Sequence, residues 1–250
     1  MKKYGLLGEK LSHSKSPEIH NDIFKYLKIE ASYDLIETKK ENLMKYLKEY
    51  DGLNVTIPYK TEMFKHLKKV DKVAKNIGAV NTIYKEVGYN TDYYGFKKML
   101  EINNINVENK TVYILGTGGA SKAVFKYLKD NNAKLINFVS RTIKEENIIS
   151  YEELNKVSGD IIINTTPVGM YPNIDKSPVG SEILKKFKVA IDLIYNPFET
   201  KFISISKKLN LKTTNGLYML IGQAIKAEEI WQECKIDNEE VEKIYEKMKN

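Results

Sequence analysis

The chain has 250 residues, 42% of them hydrophobic and 29% charged, which places it among folded globular proteins and leaves room for one large domain or two smaller ones. One cysteine, Cys234, excludes a disulfide framework and a thiolate metal site, and the three histidines, His13, His20 and His66, show no metal-ligand spacing. The net charge of +7 is spread along many lysines rather than gathered in one run, which argues against a nucleic-acid surface and suits anionic small molecules.

No apolar run approaches the ~20 residues of a membrane span. Glu9 and Lys10 break any signal-peptide core, so the expected location is the cytoplasm.

In chain order, residues 3–8 predict a strand. Ser16-Pro17 then opens a helix to about Leu27, because a hydroxyl cap and a first-turn proline are both start signals. Residues 32–37 predict a strand, 40–49 a helix, 52–56 a buried strand and 59–67 a helix. Residues 80–84 and 87–90 predict a hairpin that turns near Lys85-Glu86. A helix over about 93–103 runs into a polar stretch, and a domain boundary is expected in this region.

Thr111–Leu115 is an apolar strand that leads into Gly116-Thr117-Gly118-Gly119-Ala120. A helix to about Asn131 and a strand at 135–139 complete a βαβ unit with its glycines at the strand-to-helix turn. Further strands are expected at 160–164, 188–193 and 211–214, with two helices over 216–250. The alternation predicts an α/β fold with parallel sheets covered on both faces.

The glycine turn is chemistry as well as geometry. The first glycine makes the tight turn, and the second lets backbone approach a pyrophosphate at a helix N-terminus. Ser121 stands at the third glycine position and is small enough for close packing. The next strand ends in Ser140-Arg141-Thr142, with Lys144 beyond and no acid at the strand end. An acid there would bond the ribose 2′-hydroxyl of NAD, whereas an arginine suits the 2′-phosphate of NADP. Arg141 is the only arginine in the chain, which singles it out for planar phosphate recognition that lysine performs poorly.

Polar residues also gather at strand exits in the first hundred residues. Ser14 and Ser16 offer two hydroxyls at a helix start, an arrangement that suits a carboxylate. Asn54 and Thr56 share one side of a strand that Pro58 ends, with Lys60 just beyond. Asn81-Thr82 and Asn90-Thr91-Asp92 are further exits of this type. Together they point to a polyhydroxylated ligand at the sheet edge.

The ordered set SKSP, NVTIPYK, GAVNT, NTDYYG, GTGGA, SRT, NTTPVGM, DLIYNP and GLYMLIGQA resembles the shikimate dehydrogenase family over residues 5 to about 227. The resemblance implies a substrate-binding domain over 1–97, completed by the C-terminal helices 216–250, and a Rossmann-type NADP-binding domain over 98–215, with the active site in the cleft between them. It implies NADPH-dependent reduction of 3-dehydroshikimate to shikimate. Ser14 and Ser16 would hold the substrate carboxylate with Tyr195 assisting, and Thr56, Asn81, Asp92 and Gln223 would bond the ring hydroxyls. Lys60 and Asp92 would form the catalytic pair, the proton donor being either one. Gly116, Thr117, Gly118, Gly119, Ala120, Ser140, Arg141, Thr142 and Lys144 would hold NADP, and Leu193 and Gly216 would line the nicotinamide pocket. No metal is implied, and the protein is expected as a monomer or homodimer. Ser140 departs from the family's usual asparagine, and Lys72 stands where many members carry an acid. The rivals are a quinate/shikimate dehydrogenase that uses NAD, and a non-catalytic sensor of the same metabolites.

Overall fold

The computed structural model describes residues 1–12, 14–142 and 147–249. The chain divides into two compact units, one made of Met1–Gly95 with Ile221–Asn250 and the other of Phe96–Leu220.

The first unit is built on six strands, β1 (Lys2–Gly8), β2 (Ala31–Glu37), β3 (Gly52–Val55), β4 (Lys69–Val70), β5 (Thr82–Tyr84) and β6 (Val87–Tyr89), in the order β2-β1-β3-β5-β6-β4. Strand β1 runs parallel to both β2 and β3, while β5 is antiparallel to β3 and to β6. This sheet is therefore mixed, not parallel throughout as the β/α alternation predicts. The β5–β6 pair is the hairpin expected at 80–84 and 87–90, closed by a two-residue turn. Lys85 and Glu86 both adopt left-handed backbone, with φ of 48° and 60°, the geometry of a tight hairpin turn.

Helix α1 (Ser16–Leu27) carries proline in its first turn and ends at Lys28 in left-handed backbone, and it buries Ile19, His20, Ile23 and Phe24 along one stripe. The helix predicted over 40–49 is cut down to a 3-10 turn at Lys40–Asn42 and one α turn, α2 (Leu43–Tyr46). Leu43 is the one buried residue of those two turns, so there is little apolar surface to offset helix nucleation. After α3 (Lys60–His66) comes the unpredicted α4 (Lys72–Ile77). Asp71 caps it through the amides of Val73 and Ala74, and Gly78 at φ 71° ends it.

Helix α5 (Asp92–Ile102) leads into the second unit. There β7 (Thr111–Leu115), β8 (Leu135–Val139), β9 (Ile148–Ile149), β10 (Ile161–Asn164), β11 (Val189–Asp192) and β12 (Lys212–Thr214) form a sheet in the order β12-β11-β10-β7-β8-β9. Every pairing is parallel. Counted within this unit the order is 3-2-1-4-5-6, that of dinucleotide-binding sheets, and it reverses between β7 and β10. Ile161, Ile162 and Ile163 of β10 are all buried, as expected of a strand covered on both faces. Helix α6 (Gly119–Asp130) follows β7 and buries Ala123, Val124, Tyr127 and Leu128. The short helices α7 (Tyr151–Leu154) and α8 (Ser181–Leu184) precede α9 (Lys201–Lys208), and α10 (Leu217–Trp231) returns the chain to the first unit, where α11 (Asn238–Lys249) ends it. No helix among the described residues is long and apolar enough to cross a membrane.

Candidate active site

Three loop exits of the first sheet converge on one hydrogen-bonded lattice. Lys60 opens α3 directly after the β3 exit, and Asp92 opens α5 after the β6 exit. Their side chains meet at 2.6 Å, Nζ to Oδ2, with 16% and 9% of each exposed. The other Asp92 oxygen accepts from Asn81 Nδ2 at 2.9 Å. The orientation of the Asn81 amide is fixed from its far side. The backbone N–H of Thr91 can only donate, and it reaches Asn81 at 2.7 Å, so the atom there is Oδ1 and the NH2 group must face Asp92. Thr82 and Thr91 hydroxyls pack around the same amide at 3.0–3.2 Å. Asn54 Nδ2 donates to Asn81 O at 3.3 Å and to Thr82 Oγ1 at 3.0 Å. Asp92 thus has both oxygens engaged, and the Lys60 ammonium is held at a set place with a little solvent access left.

Ser14 and Ser16 form a separate group. The Ser14 hydroxyl lies 3.2 Å from Ser16 Oγ and accepts from the Ser16 amide at 3.2 Å, where α1 begins. Two hydroxyls at a helix start can turn their hydrogens to an anion. Thr56 is half-buried beside Gly8, where an added Cβ would lie 2.8 Å from Thr56 Cγ2. Among the described residues, Thr56 shares no hydrogen bond with the Lys60–Asp92 pair. Gln223, half-buried on α10, touches the lattice through a long contact from Thr91 Oγ1 at 3.5 Å.

Sequence reasoning missed Thr82 and Thr91 as parts of this lattice, although both stand inside the polar exits it singled out. It also missed Tyr33, whose hydroxyl donates to Asn54 Oδ1 at 2.7 Å. No local pattern in ASYDLIE marks that tyrosine.

The second unit carries the glycine turn. Gly116 has φ +99°, and a Cβ there would sit 2.9 Å from Thr166 Cγ2 and 3.1 Å from Thr165 Oγ1, so only glycine fits between the ends of β7 and β10. Nothing lies within 4 Å of a Cβ built on Gly118, which leaves open space over the N-terminus of α6. No side chain caps that terminus, and a helix start leaves amide donors without helical partners. Ser121 is more than a small residue. It is fully buried and its hydroxyl donates to Gly118 O at 2.6 Å, which pins the turn. This open, donor-rich concavity fits a pyrophosphate.

Ser140, Arg141 and Thr142 follow β8, with Arg141 and Thr142 exposed and the Thr142 amide donating to Ser140 Oγ at 3.2 Å. The Arg141 charge opposes the upward push that burial gives the Tyr151 hydroxyl pKa. No acid stands at residues 140–142, so the strand end fits a 2′-phosphate. Lys144 lies outside the described residues. Leu193 and Gly216, distant in sequence, meet directly: a Cβ on Gly216 would be 2.0 Å from Leu193 O. Tyr195 is half-buried two residues beyond.

The exit carrying Leu193 and Tyr195 is anchored by Asp192, which is fully buried. It accepts from Asn164 Nδ2 at 3.0 Å, the Ile194 amide at 3.0 Å and Thr200 Oγ1 at 2.6 Å. Burial pushes its carboxyl pKa up to about 6, against those three hydrogen bonds, which pull the other way. No group of three or more His, Cys, Asp or Glu among the described residues is placed to hold a metal ion.

Residues 6–83 match the family model described as the shikimate dehydrogenase substrate binding domain. A shikimate dehydrogenase (NADP(+)) of Clostridium beijerinckii is 51% identical, across 98% of this chain and 97% of that one. A chorismate mutase/shikimate 5-dehydrogenase fusion protein from Clostridium acetobutylicum superposes with TM-score 0.96 at 45% identity, covering 99% of this chain and 97% of that one. The shikimate 5-dehydrogenase of Thermus thermophilus, solved with NADP(H) and shikimate, superposes with TM-score 0.88 at 30% identity over 99% of both chains.

Proposed function

The chain belongs to the shikimate dehydrogenase family and is an NADP-dependent oxidoreductase, and we propose that Lys60, Asp92 and the residues around them carry its reaction as follows. The reaction is the reversible reduction of 3-dehydroshikimate to shikimate, a step toward chorismate and the aromatic amino acids. NADP in its reduced form supplies the hydride that the ring ketone carbon receives. The protein must orient the ketone and furnish a proton to the oxygen as negative charge builds on it.

Lys60 is the proton donor in this account. Its ammonium also stabilises the charge developing on the oxygen. Asp92 holds Lys60 by Oδ2, and Asn81 holds Asp92 by Oδ1, so the ammonium is aimed before substrate arrives. That 2.6 Å pair, locked by an asparagine whose own amide is fixed, is the observation that carries the reading. Asn81, Asp92, Thr56 and Gln223 are assigned to the ring hydroxyls, and Ser14 with Ser16 to the carboxylate. The glycine turn at 116–120 would hold the pyrophosphate and Arg141 the 2′-phosphate.

We further assign the enzyme to the cytoplasm, as a monomer or a homodimer. The test is consumption of NADPH on addition of 3-dehydroshikimate, with shikimate identified as the product. Folded protein that binds NADPH and yields no shikimate would contradict the assignment.

A further inference from the structure

A second polar layer backs the Lys60–Asp92–Asn81 group in the first unit, and the reaction as derived does not use it. It begins on β2. Tyr33 of β2 and Gly52 of β3 both stand opposite Tyr4 of β1, one on either side. Asn54, two residues beyond Gly52, therefore faces the same side of the sheet as Tyr33. With β1 between them, β2 and β3 lie roughly 10 Å apart. Tyrosine is long enough to bridge that gap, and its hydroxyl meets Asn54 Oδ1 at 2.7 Å.

Donors and acceptors fix how this layer is turned. Asn54 lies against the Asn81 backbone carbonyl at 3.3 Å, and a carbonyl only accepts, so the atom there is Nδ2. Oδ1 then faces Tyr33, whose single hydroxyl hydrogen must point to it. The same NH2 group donates to Thr82 Oγ1 at 3.0 Å. Thr82 pairs with Asn54 across β3 and β5, which brings the two side chains together. Having accepted from Asn54, the Thr82 hydroxyl turns its own hydrogen to Asn81 Oδ1 or Thr91 Oγ1, each at 3.1 Å. Asn54 thus holds Asn81 twice, at its backbone oxygen and, through Thr82, around its amide. The Asn81 NH2 group in turn faces Asp92, which holds Lys60.

The Tyr33 ring is itself held from behind. The His20 ring on α1 lies flat on it, with centroids 4.0 Å apart and planes 10° apart. His20 and Glu228 of α10 are both fully buried, with Nδ1 and Oε1 2.6 Å apart. Phe24 and Trp231 flank the same imidazole. Apolar side chains would fill such a space without desolvating a carboxylate. An imidazole tied to a carboxylate has a set orientation, and stacked on Tyr33 it keeps the phenol from turning its oxygen off Asn54.

We propose that Asn54, aimed by Tyr33, is a positioning residue for the proton transfer: by setting Asn81 it sets Asp92, and Asp92 sets the Lys60 ammonium. Asn54 and Tyr33 are both buried and act through Asn81, Thr82 and Asp92. This role depends on those assigned above to Lys60 and Asp92.

The test is a double-mutant cycle of Tyr33→Phe and Lys60→Ala. It is read as the single-turnover rate of NADPH consumption, with enzyme in excess of NADPH and 3-dehydroshikimate saturating. Excess enzyme keeps the slow Lys60→Ala background measurable. Tyr33→Phe keeps the ring and its stack on His20 and deletes one oxygen. If aiming the ammonium is worth about one hydrogen bond, the rate falls about tenfold from wild type. In the Lys60→Ala background the same substitution should lower the rate by less than about twofold, because no ammonium is left to aim. Asn54→Ala removes the link at its other end and should behave as Tyr33→Phe does, so it carries the test if the Tyr33 variant does not fold. Rates within about twofold of wild type for these variants would overturn the proposal. So would an equal loss in both backgrounds, which is what general loosening of the fold produces. Lys60→Ala alone separates the two levels. A near-normal rate there removes Lys60 as proton donor and this role with it. A large loss there, with an undiminished further loss from Tyr33→Phe, leaves Lys60 in place and removes only the role of Asn54.

Discussion

Replacing Asp192 by Asn removes a charge from a fully buried position while keeping its shape. In the folded protein burial raises this carboxyl from its ordinary 3.8 to about 6. An acid with a raised folded value binds its proton more tightly when folded. Its contribution to stability is therefore complete below about pH 4, falls as pH rises through about 6, and is constant above. At about 1.36 kcal/mol per pH unit, the difference between 3.8 and about 6 amounts to roughly 3 kcal/mol lost by neutral pH. Asparagine imitates the protonated form. Its Oδ1 can still accept from Asn164 and the Ile194 amide, and its NH2 group can donate to a Thr200 hydroxyl that now accepts. Asp192→Asn should then be more stable than wild type at neutral pH, by up to about 3 kcal/mol, with the advantage vanishing toward about pH 4. Urea unfolding of both proteins across that range reads the difference directly. The comparison cancels all other titrating groups. A difference that does not change with pH, or a wild type that is the more stable at neutral pH, would refute the reasoning.

Lys60→Ala should lower kcat by about 10²–10⁴-fold with little change in KM for shikimate, the signature of a group that acts on the reaction rather than on binding. A near-normal kcat would remove Lys60 as the proton donor. Arg141→Ala deletes charge-assisted hydrogen bonds to a 2′-phosphate worth roughly 1.5–3 kcal/mol, so the KM for NADP should rise by about 10–100-fold while that for NAD stays put. Equal losses for both cofactors would undo that assignment. Gly216→Ala forces a methyl to within 2.0 Å of the Leu193 carbonyl oxygen, backbone that cannot swing aside. It should cost about 3 kcal/mol or more and show as a lowered Tm; an unchanged Tm would contradict a backbone contact that excludes a methyl group at this position.

How much of this was legible in the sequence depended on how local each signal was. The β7–turn–α6 unit could be read because strand, glycines and helix start follow one another within twenty residues, and its limits at Thr111–Leu115 match the strand as built. Helix α1 was equally readable, from Ser16 and Pro17 alone. Helix α4 was not, because six residues carry too little periodicity, although Asp71 and Gly78 are good caps in hindsight. The Lys60, Asn81 and Asp92 cluster was visible as three polar strand exits, but only the hairpin's register turns those exits into one lattice. Gly216 matters through Leu193, more than twenty residues earlier. The His20–Glu228 pair spans 208 positions, and no pattern within either helix announces it. Tyr33 was hidden for the same reason: its partner Asn54 lies 21 positions further along the chain.

This chain oxidises shikimate with NADP, and Arg141 is proposed to set that cofactor. The most direct measurement is the initial rate of nicotinamide reduction with shikimate or quinate, each against NADP and NAD. Activity is expected to be concentrated in the shikimate and NADP pair. Comparable or greater rates with quinate and NAD would contradict it.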